Sequence, residues 1–70
     1  MKLSARNQIK GRIVSVELGE VMANIKIQLS NGEMITSIIT RDSVDELELG
    51  EEDDVYAIIK ATEIMVAKDI

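Results

Sequence analysis

The sequence contains no cysteine, no histidine and no proline, and its single aromatic residue is Tyr56. Without cysteine no disulfide can supplement the core, and without thiolate or imidazole ligands a zinc site is not expected. A general base of the usual kind is missing with histidine. No apolar run approaches the roughly 18 residues of a membrane span. The first residues, Met1-Lys2-Leu3-Ser4, lack the apolar centre of a signal peptide. These absences point to a cytoplasmic protein without a membrane partner, a resident metal or a cofactor.

What is present is short, aliphatic and acidic. A chain of 70 residues is read as one domain with a thin core, and oligomerisation is the remaining way to add burial. The apolar residues are almost all Ile, Val, Leu, Met and Ala, and the weight of β-branched side chains favours strands. The net charge of −5 argues against a general nucleic-acid binder, which needs a basic face. Charge is unevenly spread, however. Lys2, Arg6, Lys10 and Arg12 crowd the beginning, whereas Asp45, Glu46, Glu48, Glu51, Glu52, Asp53 and Asp54 crowd one later stretch. An overall sign therefore says little about any local site.

Alternation predicts a first strand from Ile9 to Leu18, with Val14, Val16 and Leu18 on one face and Arg12, Ser15 and Glu17 among the polar residues between. Gly19-Glu20 ends it. The next strand alternates clearly, with Val21, Ala23, Ile25, Ile27 and Leu29 on one side and Met22, Asn24, Lys26 and Gln28 on the other. Asn31-Gly32 predicts a type I′ hairpin turn and an antiparallel third strand over 33–40. That strand is apolar on both faces, so a cover on both sides is expected, for example a neighbouring subunit. Residues 40–50 read as a short helix capped either by Thr40 or by a Ser43/Glu46 capping box, with Gly50 as its stop. An acidic turn, a strand from Val55 to Lys60 and a last short strand from Ile64 to Ala67 complete the pattern. The order is that of an all-β, five-stranded OB-like barrel with one short helix between strands 3 and 4.

Chemistry has few places to sit. With neither His nor Cys there is no conventional nucleophile and base pair, and Ser or Thr activated by Lys60 lacks a recognisable motif, so the expectation is a protein that is not an enzyme. No phosphate-cradling glycine loop occurs. Single-stranded nucleic acid wants aromatic platforms, and one tyrosine does not supply them. Three features instead suit a small anion. Arg6 offers a planar fork of charged donors, with Ser4 and Asn7 beside it. Thr40 and Ser43 place hydroxyls where the helix begins, and Lys60 is a second cation after an apolar strand. Each has a plainer explanation: residues 4–8 as a polar terminus, Thr40 and Ser43 as helix caps, Lys60 as a side chain reaching from a strand end to water.

Taken together, "SARNQIKGRIVSVELG", "ITRDSVDELELG" and "YAIIKATEIMVA" closely resemble the molbindins, the Mop-domain family, over residues 3–67. The resemblance implies that residues 1–70 form a single Mop domain. It further implies an OB-like barrel that assembles as a homohexamer, a trimer of dimers with strands exchanged between subunits, and binds molybdate or tungstate between them. Carried over by position, the oxyanion contacts would be Ser4, Ala5 (backbone), Arg6 and Asn7 from one chain, with Thr40, Ser43, Lys60 and Ala61 (backbone) from another. For a second site near a threefold axis the candidates are Lys10, Gly11, Gly19, Val21 and Asn24. Two departures matter. Glu52 stands where members often have a glycine in the turn before the fourth strand, and Glu20 and Met22 replace residues that are commonly smaller or more amide-like.

The chemistry of the ligand agrees. A dianion with four unprotonated oxygens asks for donors and repels carboxylates, and the named residues include no carboxylate. The expected function is therefore cytoplasmic storage or homeostasis of molybdate. The alternative is a structural or protein-interaction OB module with no dedicated small ligand.

Overall fold

The longest element carries the architecture. In the computed structural model, which describes residues 2–69, β1 (Asn7–Leu18) runs for twelve residues and pairs on both sides. Its first half lies antiparallel to β4 (Asp54–Ile59), from Asn7 opposite Ile59 to Arg12 opposite Asp54. Its second half lies antiparallel to β2 (Met22–Leu29), from Gly11 opposite Leu29 to Leu18 opposite Ala23. The third strand, β3 (Met34–Thr40), joins the far side of β2, giving a four-stranded antiparallel sheet ordered β3-β2-β1-β4. Helix α1 (Arg41–Leu47) follows β3, and a single 3₁₀ turn spans Ala61–Glu63.

Two residues make β1 bend. At Gly11, where the pairing passes from β4 to β2, an added Cβ would lie 2.5 Å from Ile27 Cγ2 and 2.9 Å from the Gln28 carbonyl oxygen, so only glycine fits this approach. Beyond it a β-bulge interrupts the register between Ile13 and Ser15. Strict alternation puts Val14 on the face of Val16 and Leu18. The bulge instead absorbs one residue, so that Ile13 and Val16 face Ile27 and Ile25, while Val14 is left outside. The acidic turn is fastened to the same place, with Glu52 N–H donating to the Ile13 carbonyl at 2.7 Å and Ile13 N–H donating to the Asp53 carbonyl at 2.9 Å.

The core lies on the concave side of this bend. Ile13, Ala23, Ile25, Ile27, Val44 and Ala57 are buried, and Val16, Ile35, Ile39, Leu49 and Val55 pack against them. The expected inner face of β2 is therefore correct over 23, 25 and 27. Val21 is exposed and lies outside the strand. The outer face of β3 is uncovered in the single chain, with Met34 and Ile38 exposed.

Two local signals resolve differently from expectation, the hairpin turn and the helix stop, and the choice between two helix caps is settled. The hairpin closes with Gly32 at φ +89° and Asn31 outside the left-handed region, so type I′ does not form. Gly32 N–H donates to the Leu29 carbonyl and Leu29 N–H to the Glu33 carbonyl, as in a three-residue loop ending in a glycine bulge. Thr40 is the helix cap, its Oγ1 accepting from Ser43 N–H at 3.1 Å. The helix stops at Glu48 in the left-handed region (φ +52°), two residues before Gly50.

The all-β class with one short helix between β3 and β4 is as expected, but the fifth strand is not formed in the single chain. Residues 64–69 make no strand pairing, and Met65 and Val66 are 93% and 92% exposed. Alternation marks a segment fit to pair; it does not supply the partner. Between β3 and β4 the sheet stays open, and a hollow of about 690 Å³ exposes core residues including Ile25, Ile39, Leu49 and Val55. Among the described residues no helix is long and apolar enough to cross a membrane.

Candidate functional site

The register of β1 divides the anion-fitting residues into two groups. At its Asn7 end the chain brings Ser4, Ala5, Arg6 and Asn7 beside the end of β4. Asn7 is paired with Ile59, and its Nδ2 donates to the Ile59 carbonyl at 3.2 Å. Lys60 and Ala61 follow directly. Ala5 is buried and its carbonyl accepts from Gln8 Nε2 at 3.5 Å, whereas Ser4, Arg6, Lys60 and Ala61 are exposed. The two cations, Arg6 and Lys60, thus sit at the same end of the same chain. Within one chain the register places Lys60 and Ala61 beside the Arg6 end and apart from Thr40.

Thr40 and Ser43 lie at the opposite end of β1. Thr40 pairs with Met22, which adjoins Ala23, the partner of Leu18. Thr40 Oγ1 accepts from Ser43 N–H and donates to Ser43 Oγ at 2.8 Å, so the two hydroxyls are held together by the helix cap itself. The β1–β2 loop packs against this cap. Arg41 N–H donates to the Val21 carbonyl at 2.8 Å and Arg41 Nη1 donates to the Gly19 carbonyl at 3.1 Å. The sequence reading missed Arg41. Its signal was a cation in the first turn of a helix, where the backbone dipole disfavours one.

The five candidates for a second site are also separated. Lys10 and Gly11 line a shallow hollow with Gln8, Arg12, Gln28 and Asp54, while Gly19 and Asn24 line another, of about 350 Å³, with Glu17, Met22 and Ile38. Val21 lines neither. Gly11 has a packing reason to be glycine, given above. Asn24 Oδ1 is buried and meets no hydrogen-bond donor among the described residues. An orphaned acceptor costs roughly 1–3 kcal/mol and calls for an N–H or O–H donor, not for an anion. Glu20, also in this loop, is exposed and adds a negative charge.

None of Ser4, Ala5, Arg6, Asn7, Thr40, Ser43, Lys60 and Ala61 lines any of the three hollows. The largest is the uncovered core, apolar and unsuited to an oxyanion. What one chain offers is two open clusters. The Asn7 end supplies charge, the Thr40 end supplies hydroxyls in fixed geometry, and neither encloses a volume.

A curled antiparallel sheet with one short helix and donor clusters at both ends of its long strand defines the class, a small all-β module of OB-like form. Residues 3–66 match the TOBE domain model, so the chain belongs to the TOBE domain family, and its resemblance to the molbindins holds over nearly its whole length. It is 47% identical to a probable molybdenum-pterin-binding protein of Haemophilus influenzae, over 94% of this chain and 96% of that one. It is 42% identical to molybdenum-pterin-binding protein 1 of Clostridium pasteurianum, over 94% and 97%. Among solved structures, a molybdate-binding protein from Sporomusa ovata superposes with a TM-score of 0.92 at 40% identity, covering 97% of this chain and 100% of that one.

Proposed function

We propose that this protein binds molybdate or tungstate between subunits of a homo-oligomer and serves as a cytoplasmic store of the oxyanion, without catalysis. The observation that carries this reading is that Arg6 and Lys60, in a chain of net charge −5, are exposed at one end of β1 and form no ion pair among the described residues. Arg12 alone forms an ion pair among the described residues, with Asp54 at 3.5 Å, so what sets Arg6 and Lys60 apart is that they lie together beside a cluster of neutral donors. A doubly charged guest supplies what is missing. Its four oxygens would take charge-assisted hydrogen bonds from Arg6 and Lys60, neutral donors from Ser4, Asn7, Thr40 and Ser43, and backbone N–H groups at Ala5 and Ala61. Relatives described as molybdenum-pterin-binding and molybdate-binding proteins support the choice of anion.

Because the two clusters sit at opposite ends of β1, a closed cage takes its charged half from one copy and its hydroxyl half from another. The uncovered seam between β3 and β4 and the unpaired residues 64–69 support the same assembly, a homohexamer built as a trimer of dimers in which the tail of one copy adds a fifth strand to its neighbour. Lys10, Gly11, Gly19, Val21 and Asn24 are held in reserve for a second site formed where several copies meet.

Native mass spectrometry with and without molybdate tests the proposal. Binding is expected to add oxyanion mass to an oligomer, and micromolar molybdate is expected to raise its melting temperature while equal sulfate does little. An oligomer that takes up no oxyanion would instead favour a structural or interaction module.

A further inference from the structure

The β1–β2 loop and the start of α1 are far apart in sequence, yet a single residue ties them together. Arg41 donates twice into the loop, from its backbone N–H to the Val21 carbonyl and from Nη1 to the Gly19 carbonyl. The loop also closes on itself. Gly19 N–H donates to the Met22 carbonyl at 2.8 Å, and a Cβ on Gly19 would lie 2.8 Å from that same oxygen. The loop's carbonyls at 19, 21 and 22 are thus all engaged. Among the described residues the amides of Glu20 and Val21 donate to no protein acceptor. With the carbonyls of Gly19, Val21 and Met22 occupied and the N–H groups of Glu20 and Val21 free, the turn keeps donors available.

Helix α1 has no need of this arginine. A cation in the first turn opposes the helix dipole, and the Thr40 cap is complete without it. The contact with Gly19 is what accounts for the guanidinium. We propose that Arg41 is a positioning residue that holds the Gly19–Val21 segment in register with Thr40 and Ser43, so that filling one group of donors is felt by the other. This rests on the oxyanion reading above. Arg41 itself touches no ligand in this role and acts through the loop carbonyls.

Amide hydrogen exchange on the full chain, with and without molybdate, tests it in the wild type, Arg41→Met and Arg41→Lys. Arg41 is exposed and its backbone N–H survives substitution, so both variants are expected to fold and assemble. Without ligand, exchange at the Gly19 amide, which donates to the Met22 carbonyl, should rise about tenfold in Arg41→Met, the loss of one charge-assisted bond to the local structure. Molybdate should protect residues 40–43 and 20–22 together in the wild type, but only 40–43 in Arg41→Met. Arg41→Lys, which keeps a charged donor for the single Gly19 carbonyl, should retain part of the loop protection that Arg41→Met loses. Loop protection equal to wild type in both variants would overturn the role given to Arg41. No effect of molybdate on either segment of the wild type would overturn the oxyanion reading and the coupling with it, and the ligand-free comparison tells the two failures apart.

Discussion

The two ends of β1 solve different problems. At the Asn7 end two cations stay exposed, Arg6 and Lys60, and the polar segment is held to β4 by the start of the β1–β4 ladder and one Asn7 side-chain bond. At the Leu18 end charge of both signs is present, in Glu17, Glu20, Arg41 and Asp42, and anchorage is greater, since Thr40, Ser43, Arg41, Gly19 and Val21 are joined by hydrogen bonds. One end supplies attraction and the other supplies shape. A site selective for one oxyanion needs both, and the fold keeps them apart within a chain.

The comparison can be broken first at the bend that lies between the two ends. Ile13 is 1% exposed beside the bulge, and Ile13→Ala should cost about 2–5 kcal/mol, read as a large fall in melting temperature. Both ends should then lose function together. Next in size is the charge at the Asn7 end. Arg6→Ala or Lys60→Ala should weaken molybdate binding by about 1.5–3 kcal/mol, roughly 10- to 100-fold by calorimetry, while native mass spectrometry shows the same oligomer. Collapse of the oligomer in either variant would make that cation structural.

The shape end should respond more mildly in stability. Thr40→Ala removes the helix cap and should cost about 1 kcal/mol in thermal or denaturant unfolding. Smallest is a gain. Glu52 sits at φ +72°, where a side chain costs roughly 1–2 kcal/mol, and the extra freedom of glycine in the unfolded chain offsets part of the relief. Glu52→Gly should therefore stabilise by about 0.5–1 kcal/mol without changing binding, which leaves the difference between the ends intact.

How far these ends could be read from the sequence depended on the kind of signal. The inner face of β2 is plain because period-two alternation translates directly into burial. The inner face of β1 is not, because a bulge at Val14 shifts the period by one residue, and no local feature of a Val-Ser pair announces it. The turn chemistry was half legible: Asn31-Gly32 marks the hairpin, but the loop length that decides its type depends on how β2 and β3 register. The eight candidate oxyanion residues could be named in advance from the family resemblance. Which of them share a chain end could not, because that follows from the pairing of Asn7 with Ile59, a contact between residues 52 apart. Arg41 escaped for the same reason, its partner being the carbonyl of Gly19 on another element.

The placement of unlike halves at the two extremities of one strand fixes a counting rule. If a cage needs one of each, copies joined head to tail leave an unmatched half at either terminus of any open row, and only a closed arrangement satisfies every copy. Two antiparallel copies are the smallest such closure. Whatever its size, a closed set would hold as many cages as it has chains.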